Sequence, residues 1–369
     1  MNEGKLSSEV LAALSQVIEP DLKKDIVGLG LVKDLKIEGD QCSFTVFIQN
    51  PTMHAKARMQ EACEFQLNKA LKDTLKFNIT VDVINPSDRP DLRKVIPGVK
   101  NIIAISSGKG GVGKSTLASN IALGLSKIGH HVGLLDADVY GPSAPTMFDV
   151  ENERPQTVNV DGKNLIEPVM AYGIKILSLG FFAEANQAII WRGPVATKAL
   201  RQMFMDTNWG ELDYLIIDLP PGTGDIHLSI VQTVPVTGAV VISTPQHVAL
   251  ADARKGVAMF KQENINVPVL GIVENMAYFT PEELPNNKYY IFGKDGAKAL
   301  AEELDIPLLG EVPIVQSIRE AADAGRPAVL QEDTPVSKAM MDIVYNIVEQ
   351  TEKRNNALPP TSKVNITAQ

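Results

Sequence analysis

Nine consecutive residues, Gly108-Lys109-Gly110-Gly111-Val112-Gly113-Lys114-Ser115-Thr116, have the types and order needed to hold phosphate. They satisfy G-x-x-x-x-G-K-[ST], with Gly108, Gly113, Lys114 and Ser115 in the fixed places. In such a loop the backbone N–H groups point inward around phosphate oxygens. Its glycines permit positive φ and a close approach free of a Cβ clash. Lys114 is expected to reach the β- and γ-phosphates and Ser115 to ligate Mg²⁺. Lys109 occupies a place the motif leaves free. It reads either as a second phosphate-directed cation or as a solvated lysine at the loop rim.

Acidic residues end two other apolar runs. Gly133-Leu134-Leu135 leads into Asp136-Ala137-Asp138, and Tyr214-Leu215-Ile216-Ile217 leads into Asp218. An acid at the end of a dry strand is costly unless something pairs with it. Hydrated Mg²⁺ is the expected partner of Asp218. Asp136 and Asp225 suit helix capping or turn formation as well. Asn275 closes the run Gly271 to Val273 with Glu274, and Pro313 closes Leu308 to Val312 and is expected to wall a base pocket. A side-chain amide offers donor and acceptor together, as adenine requires; a turn asparagine is the other reading of Asn275.

These groups need elements to hold them. Asn101 to Ser107 reads as a buried strand, and Leu117, Ile121, Leu125 and Ile128 recur at helical spacing after the loop. Further strands are expected at Ile102–Ser106, Val132–Leu135, Ile174–Ser178, Tyr214–Asp218, Gly238–Ser243, Val269–Val273 and Leu308–Val312. Alternation of strand and helix implies an α/β fold, a mainly parallel sheet with helices on both faces. In such sheets ligands bind beyond the carboxyl ends of the strands, where all of these motifs fall. Residues 1–85 form a separate small α+β pattern, with strands at 35–38, 42–48 and 77–84 and helices around 10–18 and 54–71. Residues 86–100, opening on Pro86-Ser87-Asp88-Arg89-Pro90, read as a linker. The large domain is expected over 101–350, and 351–369 reads as a disordered tail.

Composition narrows the function. The 369 residues are 44% hydrophobic and 21% charged, with net charge −9. A pI near 5.2 argues against nucleic acid as partner. No apolar run is long enough to span a membrane, and Met1 to Val10 lacks the features of a signal peptide, so a cytoplasmic protein is expected. The two cysteines, Cys42 and Cys63, exclude a disulfide scaffold and fit a reducing compartment. They read as buried small apolar residues or as transient metal ligands shared by two chains. His54, His130, His131, His227 and His247 have no metal-ligand spacing.

The KGGVGKST form resembles the deviant Walker A ATPases, which include MinD and ParA. The phrases SSGKGGVGKST, LLDADVYGPSAPTM, WRGPVATKAL, DYLIIDLPPGTGDIHL, VVISTPQ and GIVENM resemble the Mrp/ApbC group of iron–sulfur cluster carriers. VIEPD and IVGLGLV in the small domain resemble the MIP18 family. The resemblance implies ATP and Mg²⁺ as ligands and a homodimer with nucleotide at the interface. Lys109 would cross to the partner's nucleotide, and Lys114 would stabilise the transferring charge. Asp138 would handle the attacking water, Asp136 would support the magnesium region, and Asp218 would hold the metal's hydration shell. Gly222 to Gly224 would form a switch sensing the γ-phosphate. Asn275 would read the adenine edge. Partners would be iron–sulfur apoproteins or assembly factors, with neither nucleic acid nor membrane involved. A nucleotide-switched positioning or adaptor protein of the MinD/ParA kind is the alternative. The chain departs from the carrier pattern at one place. The family's C-x-x-C belongs between Asn275 and Phe292-Gly293, and here Ala277 to Ile291 holds no cysteine. A bridging cluster needs four thiolates. The resemblance therefore implies a cluster that the ligands of this chain do not support.

Overall fold

A computed structural model describes residues 3–20, 24–39, 41–48, 52–71, 75–83, 96–160, 162–182, 193–263, 265–281, 283–284 and 286–361. The chain divides into two compact units, residues 1–92 with 355–360 and residues 93–354 with 361–369.

The small unit runs α1 (Glu3–Leu14), β1 (Ile18–Glu19), β2 (Lys24–Asp25), β3 (Val32–Glu38), β4 (Gln41–Ile48), α2 (Met53–Leu71) and β5 (Lys76–Val83). β4 lies between β3, antiparallel to it, and β5, parallel to it. Its Cys42, Phe44, Val46 and Ile48 alternate inward, and α2 answers with Met59, Cys63, Leu67 and Leu71 at four-residue spacing. Both cysteines are fully buried in this core. Burial, with help from Glu64, pushes the Cys63 thiol up to about 12, and burial raises Cys42 as well. Neither is available as a thiolate, so their reading as metal ligands gives way to the packing one.

The large unit runs β6 (Val99–Ser107), α3 (Lys114–Lys127), β7 (Val132–Asp136), α4 (Ala144–Met147), β8 (Gln156–Val160), β9 (Lys163–Glu167), β10 (Val169–Ala171) and β11 (Ile174–Ser178). It continues through α5 (Gly193–Met205), β12 (Leu212–Asp218), α6 (Asp225–Thr233), β13 (Gly238–Ser243), α7 (His247–Lys261), β14 (Val269–Phe279), α8 (Gly296–Leu304), β15 (Leu308–Ile314), α9 (Gln316–Asp323) and α10 (Pro335–Ala357). Eight strands form one sheet in the order β10-β11-β7-β12-β6-β13-β14-β15. Neighbours are parallel except for the edge pair β10–β11.

Strand periodicity divides the core between the two faces. Ile103, Ile105, Leu134, Ile216, Val240 and Ile242 join one cluster with α3 and α10. Ile102, Ala104, Leu135, Leu215, Ile217 and Ala239 join another with α5, α6 and the end of α7. Gly124 lets α3 and α10 approach closely, since a Cβ there would lie 2.5 Å from Val344 Cγ2.

The expected elements are present, with several changes. The large domain starts earlier than 101, because β6 opens at Val99. β14 runs six residues past the expected Val273, to Phe279. The hairpin β8–β9 and the edge strand β10 were not expected. The tail expected from 351 is corrected: α10 stays helical to Ala357, and its Val336, Met340, Ile343, Val344, Ile347 and Thr351 form a buried stripe. Polar composition misled here, because Glu, Lys and Arg are good helix formers and one apolar stripe suffices to anchor them. Residues 86–95 of the expected linker, Trp191 and Arg192 of the WRGP phrase, and residues 362–369 lie outside the described residues.

Candidate nucleotide site

Three adjacent strands carry the chemistry. β6 feeds the glycine-rich loop, β12 ends in Asp218, and β7 ends in Asp136. Register places Asp218 opposite Asp136 on one side and Ile105 on the other. The loop ends in Gly113 at φ 81°, which begins α3 without any side-chain cap. The first N–H groups of α3 therefore face the loop's hollow as an anion site. Two glycines are required by contact as well as conformation. A Cβ on Gly108 would lie 2.2 Å from the Asp252 carbonyl carbon, and one on Gly113 would lie 2.2 Å from Asn275 Nδ2.

Lys114 is the centre of the site. Its side chain is 5% exposed, and Nζ lies 2.6 Å from Asp218 Oδ1, 3.2 Å from Ser115 Oγ and 3.9 Å from Asp138 Oδ2. A buried ammonium needs such partners, and removing them would leave an uncompensated charge. Burial raises Asp218 above the usual carboxylate range although Lys114 and Ser115 pull it down. Asp138 Oδ1 accepts from the Tyr140 N–H at 3.2 Å, which leaves Oδ2 turned towards Lys114. Lys114, Ser115, Asp138 and Asp218 are thus brought together as their types predict.

Asp136 does something else. Its carboxylate accepts from Asp138 N (3.1 Å), Ser143 N (2.9 Å), Ala144 N (3.0 Å) and Ser178 Oγ (2.9 Å). Burial, followed by the Asp218 charge, raises it to about 7 although the bonds from Ala144, Ser178 and Asp138 pull it down. With four protein donors on its oxygens it holds the loop from Asp138 to Ala144, which is the turn-forming one of its two readings. Ser178, which belongs to none of the sequence motifs, is the polar end of the next strand outward. A polar residue ending a strand beside an aspartate-ended strand is the signal that could have found it.

Lys109 Nζ sits 3.4 Å from Gln246 Oε1 of its own chain, just before α7. Asn275 is 8% exposed and donates to the Val112 carbonyl at 2.8 Å, so it braces the loop as well as facing the base side. Gly113, Thr116, Asn275 and Pro313 line one cavity of about 370 Å³, closed by Ile318 and Arg319 of α9. That volume suits a base beside the phosphate loop. The α9 wall was not foreseen; its lining residues fall three and four apart, as on one helix face. Val112, Gly110, Gly111 and Gly108 complete the loop, with Gly111 also at positive φ, 79°.

The donor set tests what the site can hold. Ser115 and Asp218 are hard oxygen ligands, which fit Mg²⁺. No cysteine occurs beyond Cys63, and among the described residues no group of three or more His, Cys, Asp or Glu could hold a metal ion. The thiolate set of an iron–sulfur cluster does not fit this chain. Among the described residues no helix is long and apolar enough to cross a membrane.

Comparison with known proteins agrees with this geometry. Residues 98–348 match the family described as the NUBPL iron-transfer P-loop NTPase, and residues 7–83 match an iron–sulfur cluster assembly protein family. An iron–sulfur cluster carrier protein from Synechocystis is 45% identical over 341 residues, 92% of this chain and 96% of that one. A nucleotide-binding protein from Archaeoglobus fulgidus, solved in complex with ADP, superposes with a TM-score of 0.55 at 38% identity, covering 65% of this chain and 90% of that chain. The cell division ATPase MinD of Pyrococcus furiosus shares the fold, with a TM-score of 0.51 at 22% identity, covering 68% of this chain and 98% of that chain.

Proposed function

The chain belongs to the iron-transfer P-loop NTPases of the NUBPL and Mrp/ApbC kind, and within that family we propose that it is a Mg²⁺-dependent ATPase serving iron–sulfur protein maturation without a bridging cluster of its own. The observation that carries this reading is the convergence of Lys114, Ser115, Asp138 and Asp218 beside the cavity lined by Asn275 and Pro313. Relatives named as cluster carriers favour this over the positioning-switch alternative.

Lys114 exchanges its bond to Asp218 for the β/γ-phosphate oxygens, where its charge offsets what develops on the transferring group. Ser115 and the freed Asp218 would hold Mg²⁺, which would supply positive charge against the phosphates. Asp138, at the rim of the buried cluster, orients the attacking water. Asn275 keeps the loop in shape through Val112 and presents its remaining amide groups to the adenine. Lys109 releases Gln246 and reaches the nucleotide of a second copy, so that two chains close face to face around two nucleotides. The cluster is cargo of the clients, apoproteins or assembly factors, because no thiolate set on this chain can take it. The work belongs in the cytoplasm, where Cys42 and Cys63 stay reduced.

The test is steady-state Mg²⁺-ATP hydrolysis alongside nucleotide binding by calorimetry. The parent chain is expected to bind and slowly hydrolyse ATP. Asp138→Ala is expected to bind within about threefold of the parent and lose turnover by about a hundredfold. Unchanged hydrolysis in Asp138→Ala would remove that residue from its role, and no binding by the parent would remove the function.

A further inference from the structure

His227 is the buried titratable group that the chemistry above leaves unused. It lies on α6, three residues after the Pro220-Pro221-Gly222-Thr223-Gly224 loop, and is 2% exposed. Neither ring nitrogen has a hydrogen-bond partner of good geometry. The ring nevertheless lies against the backbone at Gly224 and at Pro220, which offers only a carbonyl, and it feels the charges of Lys114 and Asp138. An unmade bond on a buried polar group is costly, so such a group calls for a state in which the bond is made.

The loop beside this ring is tied at two points to the sheet. Its entry is fastened by the Leu219 N–H to the Ile105 carbonyl (3.0 Å), and its middle by the Gly222 N–H to the Ser107 carbonyl (2.9 Å). Both acceptors belong to β6, the strand that carries the phosphate loop. Gly222 sits at φ 95°, a conformation that other residues rarely adopt. Burial drives the His227 ring down to about 4, so it is neutral and carries one N–H. One donor facing the two ends of a five-residue loop can bond either end, not both.

We propose that His227 is a positioning residue that pins the loop 220–224, which contains the Gly222 to Gly224 switch, when ATP is bound. The γ-phosphate draws the loop inward, a loop carbonyl comes into line with the imidazole N–H, and the bond fixes the loop for hydrolysis. Loss of the γ-phosphate lets the bond lapse. The inference rests on the ATPase reading of the site.

Amide hydrogen exchange on the full chain tests it, with Mg²⁺ and either ADP or a non-hydrolysable ATP analogue. In the parent, amides of residues 219–226 are expected to exchange about tenfold more slowly with the analogue than with ADP. His227→Leu should reduce that difference to less than about twofold, and His227→Gln, whose amide N–H can reach a carbonyl, should restore most of it. A merely structural histidine would change the melting temperature and exchange in both nucleotide states alike, without rescue by glutamine. Should the leucine variant not fold, His227→Asn decides, being polar but too short, and is expected to lose the difference as leucine does. Full analogue-specific protection in the leucine or asparagine variant overturns the pin, and so does a parent that binds nucleotide without protecting the loop. A parent that binds no nucleotide overturns the ATPase reading and the pin with it.

Discussion

The phosphate end of the site and the loop that follows Asn275 both lie at carboxyl ends of strands in one sheet, yet they are built on opposite terms. Around Lys114 the polar groups are buried and paired, with Asp218, Asp138 and Ser115 all within 4 Å of one ammonium. Beyond Asn275, β14 runs to Phe279, which pairs with Tyr289 through two backbone bonds of 2.8 Å. Phe279, Tyr289, Tyr290 and Ile291 are exposed there. Lys288 Nζ stands 3.8 Å from the Tyr278 ring centre, and Tyr278 meets Tyr290 edge-on at 6.5 Å. This loop is held by a backbone pair and aromatic contacts, and Ala277 to Ile291 holds no cysteine. A shared fold and shared nucleotide machinery therefore do not carry a ligand set with them, because the two regions answer to different residues.

The largest test of the contrast is Lys114→Ala. It deletes the cation proposed to face the β/γ-oxygens and leaves Asp218 buried without its partner. Nucleotide affinity is expected to fall by about a thousandfold by calorimetry, since phosphate contacts of this kind dominate binding. Affinity within tenfold of the parent would mean that the loop, not its lysine, holds the phosphates.

The second test is a gain. After anaerobic reconstitution the parent is expected to hold no stable cluster by visible absorption and iron content, and Cys42→Ser with Cys63→Ser should change nothing, since both thiols are buried. Thr280→Cys with Glu283→Cys writes a C-x-x-C into the loop that precedes Phe292-Gly293. Two such chains supply four thiolates, so iron binding is expected to appear while ATP binding stays at the parent level. A cluster on the parent would show that other ligands suffice.

How much of this was legible beforehand divides along the same line. That Lys114, Ser115, Asp138 and Asp218 come together could be read because phosphate chemistry fixes both residue type and spacing, and two of the strands end in Asp136 and Asp218. Asp136 kept two readings because an aspartate that caps a loop and one that serves a metal are identical in sequence. Only the donors at Ser143, Ala144 and Ser178 separate them. The sheet could be read from its apolar runs, but the β8–β9 hairpin could not: Val158, Leu165 and Ile166 give it a thin apolar pattern. The end of α10 was lost to composition. His227 gave no signal, since a histidine two residues after Asp225 says nothing of burial until the loop before it is folded.

The third test concerns pH. His227 has its folded value pressed down by burial from 6.5 to about 4, so the folded chain keeps it neutral while the unfolded chain protonates it. Stability from this group is full above pH 6.5 and is lost as pH falls towards 4, by on the order of 3 kcal/mol. Urea unfolding at pH 7 and pH 4.5 should show this loss in the parent and a shallower one in His227→Gln. Equal slopes would mean that the ring is not buried neutral.

The smallest expected effect tests the aromatic loop directly. Lys288→Ala removes a cation stacked on Tyr278 at an exposed site, an interaction of about 0.5–1 kcal/mol. Loop closure rests mainly on the Phe279–Tyr289 backbone pair, which the substitution leaves in place. The unfolding free energy should fall by less than about 1 kcal/mol, and amide exchange at Phe279 and Tyr289 should quicken only a few-fold. Nucleotide affinity should not change, because none of Tyr278, Lys288 or Tyr290 lines the base cavity. A tenfold loss of ATP affinity in Lys288→Ala would join the two regions that the structure keeps apart, and would make the loop part of the nucleotide machinery rather than a separate surface.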